Sequence, residues 1–359
     1  MQLPRLALVV ISAMIAASAS AEQAYAPLSR PLTIEQVPDR PVYFVVGEPG
    51  IPSRDNEGHT SNAGFVVTSE GVVVFDVLGT PSLGWDLLQQ MRKITDQPIR
   101  YIVVSHYHAD HIYGLQVFKV HSPGIIIAQE RASEYRENEE TADERANQRL
   151  DQRRQALFPW VDRNTRVVAP DITFRQRMVL NLGGRRFVLT YAGPAHSASD
   201  MMMMVEPDGV LFAGDIVQNG RIPFMNSDDV DTANWLRALD EVATLDPKFI
   251  IPGHGRPSTA AKQAIAFTRD YIEYARGFGR VTASEVFSAE VLVAGTITQH
   301  VIDGCQDRRG NRDCCLLGAV ARFETEELGL KIAVLLARCA PRSLHQYGLE
   351  PGCSLPNPR

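Results

Sequence analysis

The chain has little cysteine and no excess of basic charge. Its five cysteines all fall within the last 55 residues, and 36 Lys and Arg stand against 42 Asp and Glu, for a formal net charge of −6. This balance lacks the excess of basic charge that nucleic-acid-binding proteins carry, so nucleic acid is not an expected partner. The C-x-x-C-H motif of c-type haem attachment is also missing, so any electron carrier has to be a separate protein.

Long apolar runs are missing too, apart from one at the start. Arg5 precedes an apolar run from Leu6 to Ala17, and Ala19-Ser20-Ala21 follows. A run of about 12 residues is too short for a bilayer, which takes roughly 20, but it is typical of a secretory signal peptide. We therefore predict a signal peptide at 1–21, a periplasmic or secreted mature protein, and no membrane partner after cleavage. Ala24-Tyr25-Ala26 is the alternative cleavage site.

The clustered cysteines fit an exported protein. In an oxidising compartment they predict up to two disulfides that staple the C-terminal tail. A zinc knuckle is the alternative, but the spacing matches no zinc-ribbon pattern. Free buried cysteines are a third interpretation, and the pairing stays open. The cysteines are Cys305, Cys314, Cys315, Cys339 and Cys353.

Two series of strand-like runs, each followed by helical spacing, organise the rest of the chain. The first contains GFVVTSEGVVVFDV, which predicts a hairpin at Ser69-Glu70-Gly71, and the buried strand IRYIVV. The second contains RFVLTYAG, VLFAGD and FIIPGH, and its run Met201–Met204 fits a core strand better than a copper site. The fold class is therefore α/β, with helices outside two packed sheets.

The domain boundaries follow from where these patterns begin and end. We predict a loose lead-in at 22–41, one domain at 42–280, and a mainly helical, cysteine-containing appendage at 281–359. A polar stretch with mixed charges at 129–157 predicts a solvated helix.

The strongest chemical signal is Ser105-His106-Tyr107-His108-Ala109-Asp110-His111, directly after a buried strand. Alternate residues of an extended segment point the same way, so His106 and His108 can bind one metal ion. Asp110 and His111, where the chain turns, can face a second ion. A surface cluster of histidines is the alternative, but this spacing is uncommon.

Further metal-binding side chains follow three later strands. His196 comes after FVLTYAGP, Asp215 ends VLFAGD, and His254 follows FIIP. In open α/β folds, ligands at the carboxyl ends of strands converge on one crevice. Five of the nine histidines therefore fall in one constellation.

The order HxHxDH, His, GD, GH resembles the metallo-β-lactamase superfamily, over about residues 42–275. The resemblance implies an αββα sandwich, metal-dependent hydrolysis, and a small-molecule substrate. It implies that His106, His108 and His196 bind one metal ion, that Asp110, His111 and His254 bind a second, and that Asp215 bridges both. Asp110 and His111 are the catalytic candidates.

This ligand set is similar to that of glyoxalase II, and a true β-lactamase is the less favoured alternative. Two zinc ions are expected, with iron or manganese as alternatives, because the ligands are imidazole and carboxylate without thiolate. The stretch GDIVQNGRIPFMNSDDVDTANW is similar to exported zinc metallohydrolases of quinoprotein dehydrogenase and sulfur-oxidation systems. That likeness implies a quinoprotein or cytochrome pathway partner. A non-hydrolytic metal-binding or partner-binding protein of such a pathway is the other interpretation.

Three further residues are weaker candidates, each with a plainer alternative. Asp200 is expected to orient a ligand imidazole, or else to be a cap or surface residue. Arg221 is expected to bind an anionic substrate group, or else to form a surface salt bridge. Tyr107 is expected to donate a hydrogen bond to an oxyanion, or only to pack.

Overall fold

The computed structural model describes residues 25–132, 144–225 and 229–285 and the two strands 319–324 and 331–336. Two β-sheets form the centre of the domain. The seven-stranded sheet has the spatial order β1 to β7, and its first four strands are antiparallel neighbours while β4 to β7 are parallel. Its strands are β1 (Glu35–Gln36), β2 (Val42–Val45), β3 (Ala63–Thr68), β4 (Gly71–Phe75), β5 (Ile99–Val103), β6 (Ile125–Gln129) and β7 (Ile172–Phe174).

The second sheet has five strands in the order β12-β11-β10-β9-β8. Because β8 to β11 are antiparallel neighbours and β11 is parallel to β12, strands β9, β11 and β12 all run the same way. Their carboxyl ends therefore share one edge of the sheet. The strands are β8 (Arg177–Leu182), β9 (Arg185–Tyr191), β10 (Met201–Glu206), β11 (Val210–Asn219) and β12 (Phe249–Gly255).

Helices cover the outer faces of both sheets. The first begins where the Thr80 side chain accepts a hydrogen bond from the backbone N–H of Leu83, and Pro81 occupies its first position. The side chain of Asp231 caps α5 in the same way. The helices are α1 (Pro81–Arg92), α2 (Ala109–Ile112), α3 (Leu115–His121), α4 (Glu144–Leu157), α5 (Thr232–Thr244) and α6 (Ala261–Glu285).

The core has three layers, and strand alternation assigns each side chain to one of them. In β4, Val73 and Phe75 face the second sheet, whereas Val72 and Val74 face α1 and α3. In β10, Met201 and Met203 lie between the sheets, and Met202 and Met204 pack against α5 and α6. All four methionines are buried because both faces of this strand are covered. The fold is the αββα sandwich that the sequence predicts.

The hairpin at Ser69-Glu70-Gly71 is confirmed, but one other prediction needs correction. The lead-in is not loose, since Glu35–Gln36 pairs with β2 and both Leu32 and Val37 are buried. In the described part of the appendage, the end of α6 is followed by an antiparallel strand pair, β13 (Ala319–Glu324) and β14 (Lys331–Leu336). The other residues of 281–359 lie outside the described part, so the helical content predicted for that segment stays a prediction.

Some predictions fall partly or wholly outside the described residues. Of the solvated helix predicted at 129–157, Glu144–Leu157 forms α4, Gln129 instead ends β6, residues 130–132 are not helical, and 133–143 lie outside the described part. The five cysteines and the signal peptide also lie outside it. Within the described ranges, every helix is too short or too polar to cross a membrane.

A close contact between two glycines holds α1 against the segment that carries Asp110 and His111. A β-carbon on Gly84 of α1 would lie 2.6 Å from the Cα of Gly114, which follows α2. That neighbour is backbone, so it cannot move aside as a flexible side chain can. The side chains Leu83 and Leu87 of α1 are buried beside this contact.

We predict opposite effects for two glycine-to-alanine changes in helices. Gly84→Ala should destabilise the protein by on the order of 1–3 kcal/mol, because the added methyl group is forced against backbone. Gly277→Ala in α6 meets nothing within 4 Å, and should stabilise the protein by about 0.5–1 kcal/mol through helix propensity. Urea unfolding of both variants measures this. Equal effects of the two changes would contradict the packing argument.

Candidate metal centre

The seven sequence-predicted ligand residues meet where the carboxyl ends of strands from both sheets converge. His106 and His108 lie in the loop after β5, and Asp110 and His111 lie on α2. The second sheet supplies His196 after β9, Asp215 in β11 and His254 in β12. Asp215 and His254 lie inside their strands rather than after them. In β11 the pairing register shifts at Gly214, directly before Asp215, and the φ of Gly214 is 52°. This irregularity explains how a ligand side chain can lie within the strand.

The first group of ligand atoms consists of three imidazole nitrogens. His108 Nδ1 lies 3.0 Å from His106 Nε2 and 2.7 Å from His196 Nε2. All three rings are buried or nearly so. These three nitrogens lie close enough together to hold one metal ion.

The second group consists of His111, His254 and Asp110, and it meets the first group at Asp215. His254 Nε2 lies 3.4 Å from Asp110 Oδ2, and His111 Nε2 lies 3.8 Å from the same oxygen. Asp215 Oδ1 lies 3.3 Å from His111 Nε2, and its Oδ2 lies 3.2 Å from both His196 and His254 Nε2. One carboxylate therefore touches both groups.

The outward nitrogen of each of four imidazoles has a fixed partner. His196 Nδ1 lies 2.9 Å from the carbonyl of Phe224, and His254 Nδ1 lies 2.6 Å from that of Thr60. A carbonyl only accepts, so both rings carry the proton on Nδ1. In the neutral ring, Nε2 then presents a lone pair to the centre of the site.

Asp76 fixes the other two imidazoles in the same way. Its Oδ2 lies 2.8 Å from His111 Nδ1 and accepts a 2.7 Å hydrogen bond from the hydroxyl of Ser105. The Ser105 oxygen is then left to accept from His106 Nδ1, at 2.9 Å. His106 Nε2 and His111 Nε2 therefore also point lone pairs inward when these rings are neutral.

This arrangement fits a bound cation. Inside the described part of the chain, His111 Nε2 and Asp215 Oδ1 are buried with no hydrogen-bond partner, and such atoms are costly to bury. Lone pairs and carboxylate oxygens that face one another need positive charge between them. Imidazole nitrogen and carboxylate oxygen are ligands for zinc, and also for iron.

The pKa values follow from burial and from the mixture of charges. Burial lowers the pKa of His106 and of His108 well below the usual value, which keeps both rings in the neutral, metal-binding form. Burial acts to raise the pKa of Asp215, but the neighbouring His254 and His111 lower it well below its usual range. The Asp215 carboxylate is therefore ionised at neutral pH.

His111 shows the opposite balance. Burial lowers its pKa, but the carboxylates of Asp215, Asp110 and Asp76 outweigh burial and raise it well above the usual value. Three carboxylates around one imidazole thus favour a positive charge on or next to the His111 ring. A metal ion bound at His111 Nε2 supplies that charge, as a proton does.

Close backbone contacts hold the loops of the centre in place. A β-carbon on Gly253 would overlap Asp215 Oδ1, so only glycine allows His254 and Asp215 to approach as they do. The Asn62 side chain donates hydrogen bonds to the carbonyls of Pro252 and Gly255 on either side of His254. The position of His254 is therefore set from both sheets.

Two of the weaker candidates make contacts, among the described residues, that the sequence analysis did not foresee. Asp200 touches no ligand imidazole: its carboxylate accepts hydrogen bonds from the backbone N–H and the hydroxyl of Ser197, and burial raises its pKa to about 6. Arg221 donates to the carbonyls of Glu48, Gly50 and Thr60. It braces the loop behind His254 rather than presenting its guanidinium to a substrate anion.

Tyr107 also differs from its predicted role. Its ring is 3% exposed, and its hydroxyl donates to the carboxylate of Asp229. The hydroxyl is therefore directed at a loop residue rather than at an oxyanion. Its ring packs 5.2 Å from that of His108, centroid to centroid.

The sequence analysis missed Asp76, which had a recognisable signal. It directly follows the buried strand GVVVF, the same pattern that pointed to the ligands, and it contacts Ser105 and His111. Its φ of 57° is unusual for a residue other than glycine, and such backbone positions cluster at functional sites.

Comparison with known proteins agrees with the fold. A linear primary-alkylsulfatase of Pseudomonas sp. is 24% identical over 238 residues, which are 57% of this chain and 44% of the relative. The chain thus spans less than half the length of that protein. The metallo-beta-lactamase IND-1 of Chryseobacterium indologenes is 24% identical over 204 residues, or 55% of this chain and 72% of the relative. Both names denote hydrolases.

Solved structures show the same fold at low identity. A metallo-beta-lactamase from Pontibacter korlensis matches 67% of this chain and 99% of its own, with a TM-score of 0.51 and 18% identity. FIM-1 from Pseudomonas aeruginosa, solved in its mono-zinc form, matches 68% and 96%, with a TM-score of 0.52 and 19% identity.

The family model of the metallo-beta-lactamase superfamily matches residues 57–254. This range contains all seven side chains of the centre, and its relatives with named activities are hydrolases. The chain belongs to the metallo-beta-lactamase superfamily, as its motifs predicted.

Proposed function

We propose that this chain is a hydrolase that uses two metal ions, with zinc favoured, to cleave small ester, thioester or amide substrates. The observation that carries the proposal is the shared carboxylate: Asp215 lies within 3.3 Å of His111 in one group and within 3.2 Å of His196 in the other. One ion would be held by His106, His108 and His196, and the second by Asp110, His111 and His254. Such a centre lowers the pKa of bound water towards 7 and polarises a substrate carbonyl.

The chain's own side chains hold the centre rigid and leave one side of it accessible to solvent. Asp76, Ser105 and two backbone carbonyls orient the imidazoles, so little reorganisation is needed when a substrate enters. The Asp110 carboxylate is 14% exposed, whereas the His106 and His111 side chains are fully buried. The His254 side chain is 10% exposed, so we expect the substrate to approach from the side of Asp110 and His254.

β-Lactamase activity is a second candidate, favoured by the IND-1 match over 204 residues. Sulfate-ester cleavage is a third, favoured by the alkylsulfatase match. The bridging Asp215 argues for the first proposal, because the resemblance to the glyoxalase II ligand set includes this carboxylate. A panel of thioesters, carboxylic esters, an alkyl sulfate and nitrocefin separates the candidates.

Export to the periplasm and a quinoprotein or cytochrome partner stay predictions of the sequence. A non-hydrolytic role in such a pathway is the contrasting proposal. Enzyme-like rates on any substrate of the panel would count against it.

We predict two metal ions per chain, lost one at a time. Elemental mass spectrometry of the purified protein should find about two zinc ions per chain, as in other two-metal sites. His196→Ala and His254→Ala remove a ligand from different groups and should each retain about one. His121→Asn, outside the centre, should retain two. A folded, metal-free wild-type protein would refute the proposal, and two iron or manganese ions would revise the metal only.

We expect Asp110→Ala to abolish turnover of the best panel substrate without unfolding the protein. The change removes the Asp110 carboxylate, which lies near both His111 and His254. The turnover rate should fall by more than about 100-fold, which is the upper end of the range for losing an outer partner of a metal ligand. Circular dichroism checks that the fold is intact. Full turnover by this variant would show that Asp110 has no part in the reaction.

Asp76 and Asp200 form a matched pair of buried carboxylates, only one of which touches imidazoles. Asp76→Asn should weaken zinc binding and activity by about 10–100-fold, because the proton positions on His106 and His111 depend on it. Asp200→Asn should have a much smaller effect on both. Competition with a chromogenic chelator measures zinc affinity. Equal losses in the two variants would mean that Asp76 supports folding only.

A further inference from the structure

The loop that carries His196 is held from outside by a side chain of α5. The Nδ2 group of Asn234, the third residue of α5, donates hydrogen bonds of 2.9 Å to the carbonyls of Ala192 and Pro194. Gly193, between these two residues, has a φ of 82°, which favours glycine, and a β-carbon there would lie 2.5 Å from Asn234 Nδ2. The backbone just before His196 is therefore closed tightly on the Asn234 amide.

Two further contacts join this turn of α5 to the ligands. The backbone N–H of Asp231, which caps α5, donates a 2.9 Å hydrogen bond to the carbonyl of Ala195. The fully buried Trp235 ring lies 5.5 Å from that of His196, centroid to centroid. Its Nε1–H donates to the carbonyl of Ile216, the residue after the shared carboxylate. The start of α5 thus contacts the backbone before one ligand and after another.

The contacts of Asn234 require an amide in one orientation. Both partners of Nδ2 are carbonyls, which only accept, and both partners of Oδ1 are N–H groups of Arg237, at 3.2 and 2.8 Å. An aspartate has the same shape and keeps the Arg237 contact, but it has no donor for the carbonyls. Its negative charge also suits the first turn of a helix. Asn234→Asp therefore separates the hold on the His196 loop from the stability of α5.

We propose that Asn234 is a positioning residue for the metal ion that the first group of ligands would bind. Through the two backbone carbonyls it keeps His196 Nε2 at 2.7 Å from His108 Nδ1. His254 of the second group has a different support, the carbonyl of Thr60 in a loop of the other sheet. Loss of the Asn234 donors should therefore weaken one ion and not the other. This role rests on the two-metal centre of the proposed function, but not on the substrate.

The first test measures zinc affinity in two backgrounds that each keep one group of ligands. His254→Ala leaves the first group complete, and His196→Ala leaves the second group complete. Asn234→Asp should weaken zinc binding by about tenfold in the first background, the lower end of the range for outer partners of metal ligands. It should cause little change in the second background. Competition with a chromogenic chelator measures the affinities, and circular dichroism checks that each protein is folded.

A matched control makes the same substitution elsewhere. Asn181 is exposed on β8 and pairs with Arg186 near the start of β9, whereas His196 follows the end of β9. Asn181→Asp should change zinc binding in neither background. Equal losses from Asn234→Asp in both backgrounds would show a general effect on the fold, and no loss in the first would show that Asn234 does not position His196. Either result overturns the proposal.

The second test uses the chain with all seven ligands. When the zinc-loaded protein is mixed with excess chelator, one of the two zinc ions should leave Asn234→Asp about tenfold faster than it leaves the wild type. The other ion should leave at the wild-type rate. Equal acceleration of both ions, no acceleration of either, or a wild-type protein that binds no zinc would overturn the proposal. If one ion is weakened as expected but no panel substrate is cleaved, the hydrolase proposal fails and the positioning role stands.

Discussion

The structure depends on one electrostatic constraint: imidazole lone pairs and carboxylate oxygens face one another in a buried space. Asp76, Ser105 and the carbonyls of Thr60 and Phe224 hold protons on the outward nitrogens. The inward nitrogens then have no proton to share, and His111 Nε2 and Asp215 Oδ1 lack a partner among the described residues. Without a cation this cluster is repulsive, so its burial by a well-packed fold indicates that binding a cation is what the arrangement serves.

The αββα architecture can support this cluster because its parts come from two independent layers. One sheet brings the HxHxDH segment and Asp76, and the other brings His196, Asp215 and His254. The core between the sheets, with Phe75 and Phe212 stacked 5.1 Å apart, fixes the distance between these layers. Close contacts at Gly253 and Gly84 then set the positions of individual loops. The close packing of the two layers therefore offsets the electrostatic repulsion between the groups that face one another at the centre.

The sandwich and the meeting of the seven candidate ligands were predictable from the sequence because both depend on local patterns. Each ligand follows or interrupts a short apolar strand, and strand direction alone brings His106, Asp215 and His254 to one crevice. The partners of Asp200, Arg221 and Tyr107 were not predictable in the same way. Arg221 contacts carbonyls more than 160 residues away in sequence, and only the folded loops decide whether a polar side chain braces the backbone or faces a substrate. Asp76 was predictable in principle, since it ends a buried strand as the ligands do.

Metal binding and the covering of the centre are separate problems, and different elements serve them. The ligands lie on the two sheets and the short helix α2, whereas α4 contributes none of them. Because α4 packs on the domain through Leu150 and Leu157, its exposed and half-buried positions can change without disturbing the lone pairs at the centre. The side chains that hold the centre and the side chains of this covering helix can therefore vary independently. Such a separation is one way in which a single fold can carry different activities.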